Sequence, residues 1–156
     1  MAIRNLRYEG DPILRKVCKE VPEITPRIKE LVADMLDTMY EDEGVGLAAP
    51  QVGVLKRIFV IDVGEGPYTF INPVIKEKDG EQTGSEGCLS IPNKVAIVTR
   101  PNHVVCEATD IEGNRFTVEA TELFARAICH ENDHLDGILY PDVAEGPVVD
   151  LDDLEG

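Results

Sequence analysis

Five consecutive residues of this 156-residue chain, His130-Glu131-Asn132-Asp133-His134, have the types and spacing of a metal centre. Residues four apart on a helix lie about 40° apart around the axis and one turn up, so both imidazoles point the same way. Two ring nitrogens can then reach one ion. Glu131 falls beside the pair, close enough to water on such an ion to handle its proton. The competing reading is a polar helix face with two solvated histidines. Against it, two of the chain's three histidines are here, around a glutamate, directly after an apolar face ends. His103, alone at the start of a strand, reads as a surface or half-buried residue.

Two imidazoles leave a tetrahedral site short of a ligand. A third histidine, a glutamate or a cysteine is needed, and a catalytic site keeps its fourth position open for water. Cys88 fits best. It lies in Glu86-Gly87-Cys88-Leu89-Ser90, where Gly87 lets the backbone approach another group closely and Ile91-Pro92 stiffens the exit. Cys106 sits in an alternating strand, Cys129 points about 100° away from His130 around the helix, and Cys18 follows Val17 in a local helical turn. Those three read as small buried hydrophobes. One thiolate with two imidazoles suits Zn²⁺, Fe²⁺, Co²⁺ or Ni²⁺. A blue-copper centre also uses two histidines and a cysteine, but Met35 and Met39 fall on another helix and leave it no axial sulfur.

The elements that position these residues follow from punctuation and periodicity. Asp11-Pro12 opens a short helical turn carrying Ile13, Leu14 and Val17. Thr25-Pro26 opens a long helix, with Ile28, Leu31, Val32, Met35, Leu36, Met39 and Tyr40 at three- and four-residue steps as its apolar stripe, and Gly44 ends it. A small-residue loop over 44–53 follows. Short β-type runs then cover 57–63, 68–76, 95–99, 104–108 and 116–120, the last two joined by a hairpin turn over 110–114. A second helix starts near Thr121-Glu122, buries Leu123, Phe124, Ala127 and Ile128, and stops near Gly137. The expected fold is α+β: mostly antiparallel sheets wrapped around the C-terminal metal-binding helix, with the long helix N-terminal. Residues 1–143 read as a single catalytic domain and 144–156 as a short acidic tail, a solvated end.

Composition bounds the function. The formal charge is −15, from 15 Lys and Arg against 30 Asp and Glu. That argues against DNA binding and against docking on an anionic membrane, both of which use surplus cations. No stretch approaches the roughly 20 apolar residues of a membrane span, and the opening residues resemble neither a secretory signal nor a transit sequence. Four scattered cysteines are no disulfide framework at this length. The expectation is free thiols in a reducing cytoplasm.

Three segments taken together resemble one family. Gly44-Val45-Gly46-Leu47-Ala48-Ala49-Pro50-Gln51, Glu86-Gly87-Cys88-Leu89-Ser90 and His130-Glu131-Asn132-Asp133-His134 are similar to the three signature motifs of the peptide deformylases, in that family's order. Asp11-Pro12-Ile13-Leu14-Arg15 resembles the family's opening, and the likeness runs from about Ile3 to Val143. The resemblance implies an enzyme that removes the formyl group from the N-terminal formyl-methionine of new polypeptides and releases formate. It implies that Cys88, His130 and His134 hold one divalent metal with a water, Fe²⁺ in cells, with Zn²⁺, Ni²⁺ or Co²⁺ able to stand in. Glu131 is implied as general base and then general acid. The Gln51 side-chain amide and the Leu89 backbone N–H are implied as stabilisers of the developing oxyanion.

On that reading, Val45-Gly46 and Gly87 leave backbone bare, so that an extended peptide adds as a strand between them. Val45, Leu123, Ala127 and the flank of His130 line a pocket for methionine, with Arg126 near its rim. Glu86 and Asp133 are candidates to fix the ligand imidazoles. Arg100 either keeps Glu86 ionised or caps a strand at the surface. Some members of the family carry a basic C-terminal helix that docks near the ribosomal exit tunnel; the acidic 144–156 segment speaks against that mode, and only a transient ribosome contact is expected.

Two other readings stay open on sequence. A metallo-aminopeptidase needs groups for a free N-terminal ammonium, and the motif loops supply no carboxylate beyond Glu86. A structural metal needs a fourth protein ligand, for which Cys129 is the only nearby candidate.

Overall fold

The computed structural model describes residues 2–155. Asp11 caps a 3₁₀ turn over Pro12–Arg15, its side chain accepting from the Ile13 N–H. Helix α1 (Pro26–Glu41) starts the same way, with Thr25 as cap and Pro26 in the first turn. Of its predicted stripe, Ile28, Leu31, Val32, Met35 and Met39 are buried and Leu36 is half-buried, while Tyr40 is exposed.

Seven strands separate α1 from the second helix: β1 (Gly46–Ala48), β2 (Ile58–Ile61), β3 (Tyr68–Asp79), β4 (Gln82–Cys88), β5 (Ile91–Arg100), β6 (His103–Thr109) and β7 (Arg115–Thr121). Helix α2 (Glu122–Leu135) follows, then strand β8 (Val149–Asp150) and a short helix α3 (Leu151–Glu155). One antiparallel sheet has the order β1-β2-β3-β6-β7, and a second has β4-β5-β8. The fold is α+β, as expected. The 110–114 turn forms, closed by the Asp110 N–H donating to the Asn114 carbonyl.

Strand β2 shows how the sheet is packed. Every residue in it is buried. Ile58 and Val60 face α1 with Leu47 and Ile71, while Phe59 and Ile61 face α2 with Phe70, Ala125 and Ile128. Alternating side chains therefore weld a helix to each face of the larger sheet. Phe59 and Phe70 stack at 4.7 Å, and Phe124 of α2 meets Phe70 edge-on. The smaller sheet has its own cluster, Ile91, Ala96 and Val98 against Leu14, Leu139 and Tyr140. Helix α2 is held between the two sheets, so its polar face is drawn into the interior.

Three strands are absent from the sequence reading: β1, β4 and, in the tail, β8. Strand β1 lies inside the segment taken as loop, paired through Gly46 to Ile61 and Ala48 to Phe59. Strand β4 contains two glycines and little β-branched sequence, and owes its strand to pairing with β5 from Gln82–Arg100 to Cys88–Ile91. The acidic tail is not a free solvated end. Val149 and Asp150 pair with Val95 and Lys94, and Lys94 Nζ donates to Asp150 at 2.7 Å. Among the described residues, no helix is long and apolar enough to cross a membrane.

Candidate metal centre and active site

The two sheets bring Cys88 and helix α2 together. Cys88 ends β4, where the β4–β5 hairpin turns through Leu89 and Ser90. His130 and His134 sit one turn apart on the buried face of α2, 8% and 1% exposed. One ligand atom from each of Cys88, His130 and His134 falls within 4.8 Å of the others. Ligand bonds of about 2.0–2.3 Å place donors around one ion roughly 3.5 Å apart; the Cys88 sulfur stands 3.3 Å from His134 Nε2. Two buried atoms beside this trio, Glu131 Oε1 and His134 Nδ1, lack hydrogen-bond partners. Soft sulfur, two imidazoles and an unpartnered carboxylate oxygen fit a divalent transition metal with room beside it.

Cys129 is not part of this group. It packs in the core with Cys106, Phe59 and Ile128, and burial pushes its thiol above the ordinary range. Burial also pushes Cys18 up to about 11 and Cys106 up to about 12. These thiols are inert hydrophobes.

Glu86 orders the centre. Burial works against its charge, but hydrogen bonds from His130 and Arg100 outweigh burial and hold its carboxyl down at about 2. An ionised carboxylate only accepts, so the 2.6 Å contact from Glu86 Oε1 to His130 Nδ1 assigns the hydrogen to Nδ1. That orientation leaves Nε2 as the ring nitrogen a metal would take. Arg100 is 6% exposed and grips Glu86 at 2.6 and 3.2 Å. The surface-cap alternative for Arg100 therefore falls. Its Nη1 also takes Asp133 at 2.6 Å. Asp133 thus binds an arginine rather than an imidazole, contrary to the sequence expectation. Burial, reinforced by the neighbouring His130, pushes His134 below the ordinary histidine range, which keeps that ring neutral.

Glu131 is buried at the cavity wall, and burial is the main cause raising its carboxyl to about 7. A group poised there exchanges protons readily near neutral pH. Its Oε2 lies 4.0 Å from His130 Nε2. Gly46 of β1 permits this approach: a Cβ there would fall 2.6 Å from Glu131 Oε2. Gln51 is buried and oriented at both ends. Its Oε1 accepts from the Ala48 N–H at 2.9 Å, and its Nε2 donates to Ser90 Oγ at 3.0 Å and toward the Cys88 sulfur at 3.5 Å.

A cavity of about 250 Å³ opens beside these groups. Val45, Gly46, Gln51, Gly87, Cys88, Leu89, Leu123, Ala127, His130 and Glu131 all line it. Of the metal, catalytic and substrate-binding candidates, His134 alone is not in the lining; it touches the Cys88 sulfur instead. Val45 and Leu123 are exposed at the mouth. Arg126, expected near the rim, does line the cavity, largely buried there and joined to Glu86 at 2.6 Å. Ser90, fully buried as the partner of Gln51, was not singled out, although its place two residues after Cys88 was a usable signal.

Comparison with known proteins shows the family. The family model described as polypeptide deformylase matches residues 3–148. A peptide deformylase from Agathobacter rectalis is 61% identical over 151 residues, covering 97% of this chain and 96% of that protein. The crystal structure of peptide deformylase from Thermotoga maritima superposes with a TM-score of 0.90 at 39% identity, covering 92% of this chain and 99% of that one. A peptide deformylase from Synechococcus elongatus, solved in complex with actinonin, gives 0.89 at 41% identity, covering 92% and 79%. The chain belongs to the polypeptide deformylase family, a family of hydrolases.

Proposed function

We propose that this protein removes the N-formyl group from the formyl-methionine of nascent polypeptides by metal-dependent hydrolysis, releasing formate. Cys88, His130 and His134 would hold the ion, Fe²⁺ in the cell. When bound, the ion supplies Lewis acidity at the formyl oxygen and acidifies water. The carboxylate of Glu131 takes the proton from the attacking water and delivers it to the departing amine nitrogen. Gln51 Nε2, held in place through Ala48 and Ser90, and the Leu89 backbone N–H donate to the oxyanion as it forms. Gly46 and Gly87 leave main chain on opposite sides of the cavity for an extended peptide, and Val45, Leu123 and Ala127 take the methionine side chain. Main-chain pairing ignores side chains, which suits substrates that vary after their first residue. Nascent chains of this kind place the activity in the cytoplasm, with no more than a transient ribosome contact.

The observation that carries the reading is the convergence of Cys88, His130 and His134 within 4.8 Å, beside a glutamate whose carboxyl sits at about 7. The test is formate release by anaerobically purified, Fe²⁺-loaded protein from a formyl-Met peptide, run beside its unformylated twin. Formate from the first and no cleavage of the second is expected. Cleavage of the free-Met peptide without formate production would make the protein an aminopeptidase.

A further inference from the structure

Arg126 lies one helical turn before His130 on α2, and that spacing puts both side chains on one face. Its Nη1 donates to Glu86 Oε2 at 2.6 Å and its Nη2 to the Val98 carbonyl at 3.1 Å. Arg100 holds the other side of the same carboxylate and reaches Asp133. Glu86 and Asp133 against Arg100 and Arg126 are two negative and two positive charges, gathered where solvent is largely excluded. Only with both arginines does the group balance, and an unbalanced buried charge is costly.

We propose that Arg126 is a positioning residue for the metal centre. Sharing Glu86 with Arg100, it fixes the carboxylate that orients the His130 ring, and it does so from the wall of the cavity that receives the substrate's first side chain. The inference rests on the metal reading of Cys88, His130 and His134. Oε2 of Glu86 has two partners, Arg126 at 2.6 Å and Arg100 Nε at 3.2 Å. Without Arg126 it keeps only the longer contact, and the carboxylate is braced by Arg100 from one side alone. Disturbing the partner of a ligand imidazole typically costs about 10- to 100-fold in metal affinity. The effect belongs to the charged end. A methionine at 126 keeps the aliphatic stem, so the cavity wall and the fit of the peptide are preserved.

The experiment uses full-length, metal-free protein titrated with Co²⁺ alone, read by its visible absorption, with formate-release kinetics alongside. Arg126→Met is expected to bind Co²⁺ about 10- to 100-fold more weakly, with shifted bands, and to lose kcat while KM stays within about threefold. Arg126→Lys, which keeps a charge but only part of the fork, is expected in between. If Arg126 works through Glu86, Glu86→Gln combined with Arg126→Met binds Co²⁺ no more weakly than Glu86→Gln alone. That comparison also decides the matter should Arg126→Met fail to fold. Wild-type affinity and bands in Arg126→Met, or a further loss in the double variant, would overturn the proposal. A wild-type protein showing no thiolate-to-cobalt band would instead overturn the metal reading beneath it.

Discussion

Glu131 and His130 are neighbours on one helix, yet burial acts on them through different partners. His130 meets an ionised carboxylate at Nδ1, whereas Glu131 meets none, and its carboxyl rises to about 7. That difference separates a ligand from a proton carrier. Glu131→Ala removes the carrier and leaves the three ligands, so the variant should bind Co²⁺ with wild-type affinity while formate release falls by at least about 100-fold. Equal turnover would remove Glu131 from the chemistry. Sequence made the metal trio legible because four-residue spacing is a helical rule that holds before any tertiary structure forms. Arg126 obeys the same spacing to His130. Sequence places it near the pocket but not on Glu86, because that partner arrives from a strand 40 residues away.

At the scale of elements, sheet and helix approach each other where one small residue permits it. Gly46 lets β1 pass over Glu131, and Ala at that position would put its Cβ 2.6 Å from Oε2. Gly46→Ala should therefore cut kcat by about 10-fold or more while shifting the melting temperature by only a few degrees, as scored by kinetics and calorimetry. Unchanged kcat would show that the glutamate has slack. The long helices were readable because their apolar stripes repeat. Strands β1 and β4 were not, because a three-residue strand has no period to detect and Gln82–Cys88 gains its order from β5. The tail misled for a related reason: its charges suggest solvation, while Val149 and Asp150 pair with main chain that sequence does not reveal.

Across the whole molecule, a charge of −15 sets the background for every cation. His103 illustrates this far from the active site. Hydrogen bonds that its ring donates to Glu119 and then to Asp79, at 2.8 and 3.1 Å, raise its pKa above the ordinary value. A raised pKa means that protonated His103 favours the folded state below its unfolded pKa of about 6.5, and that this contribution fades as pH rises through the folded value. An NMR titration should place the His103 midpoint above about 6.5 and move it down with added salt. A midpoint at or below that value would show the two carboxylates to be ineffective.

The centre itself is tested most directly by X-ray absorption at the metal edge of the anaerobically purified protein. The account predicts one sulfur at about 2.3 Å, two imidazole nitrogens near 2.0–2.1 Å and a remaining light atom not supplied by the chain. A shell without sulfur, or one closed by a second sulfur from Cys129, would contradict it.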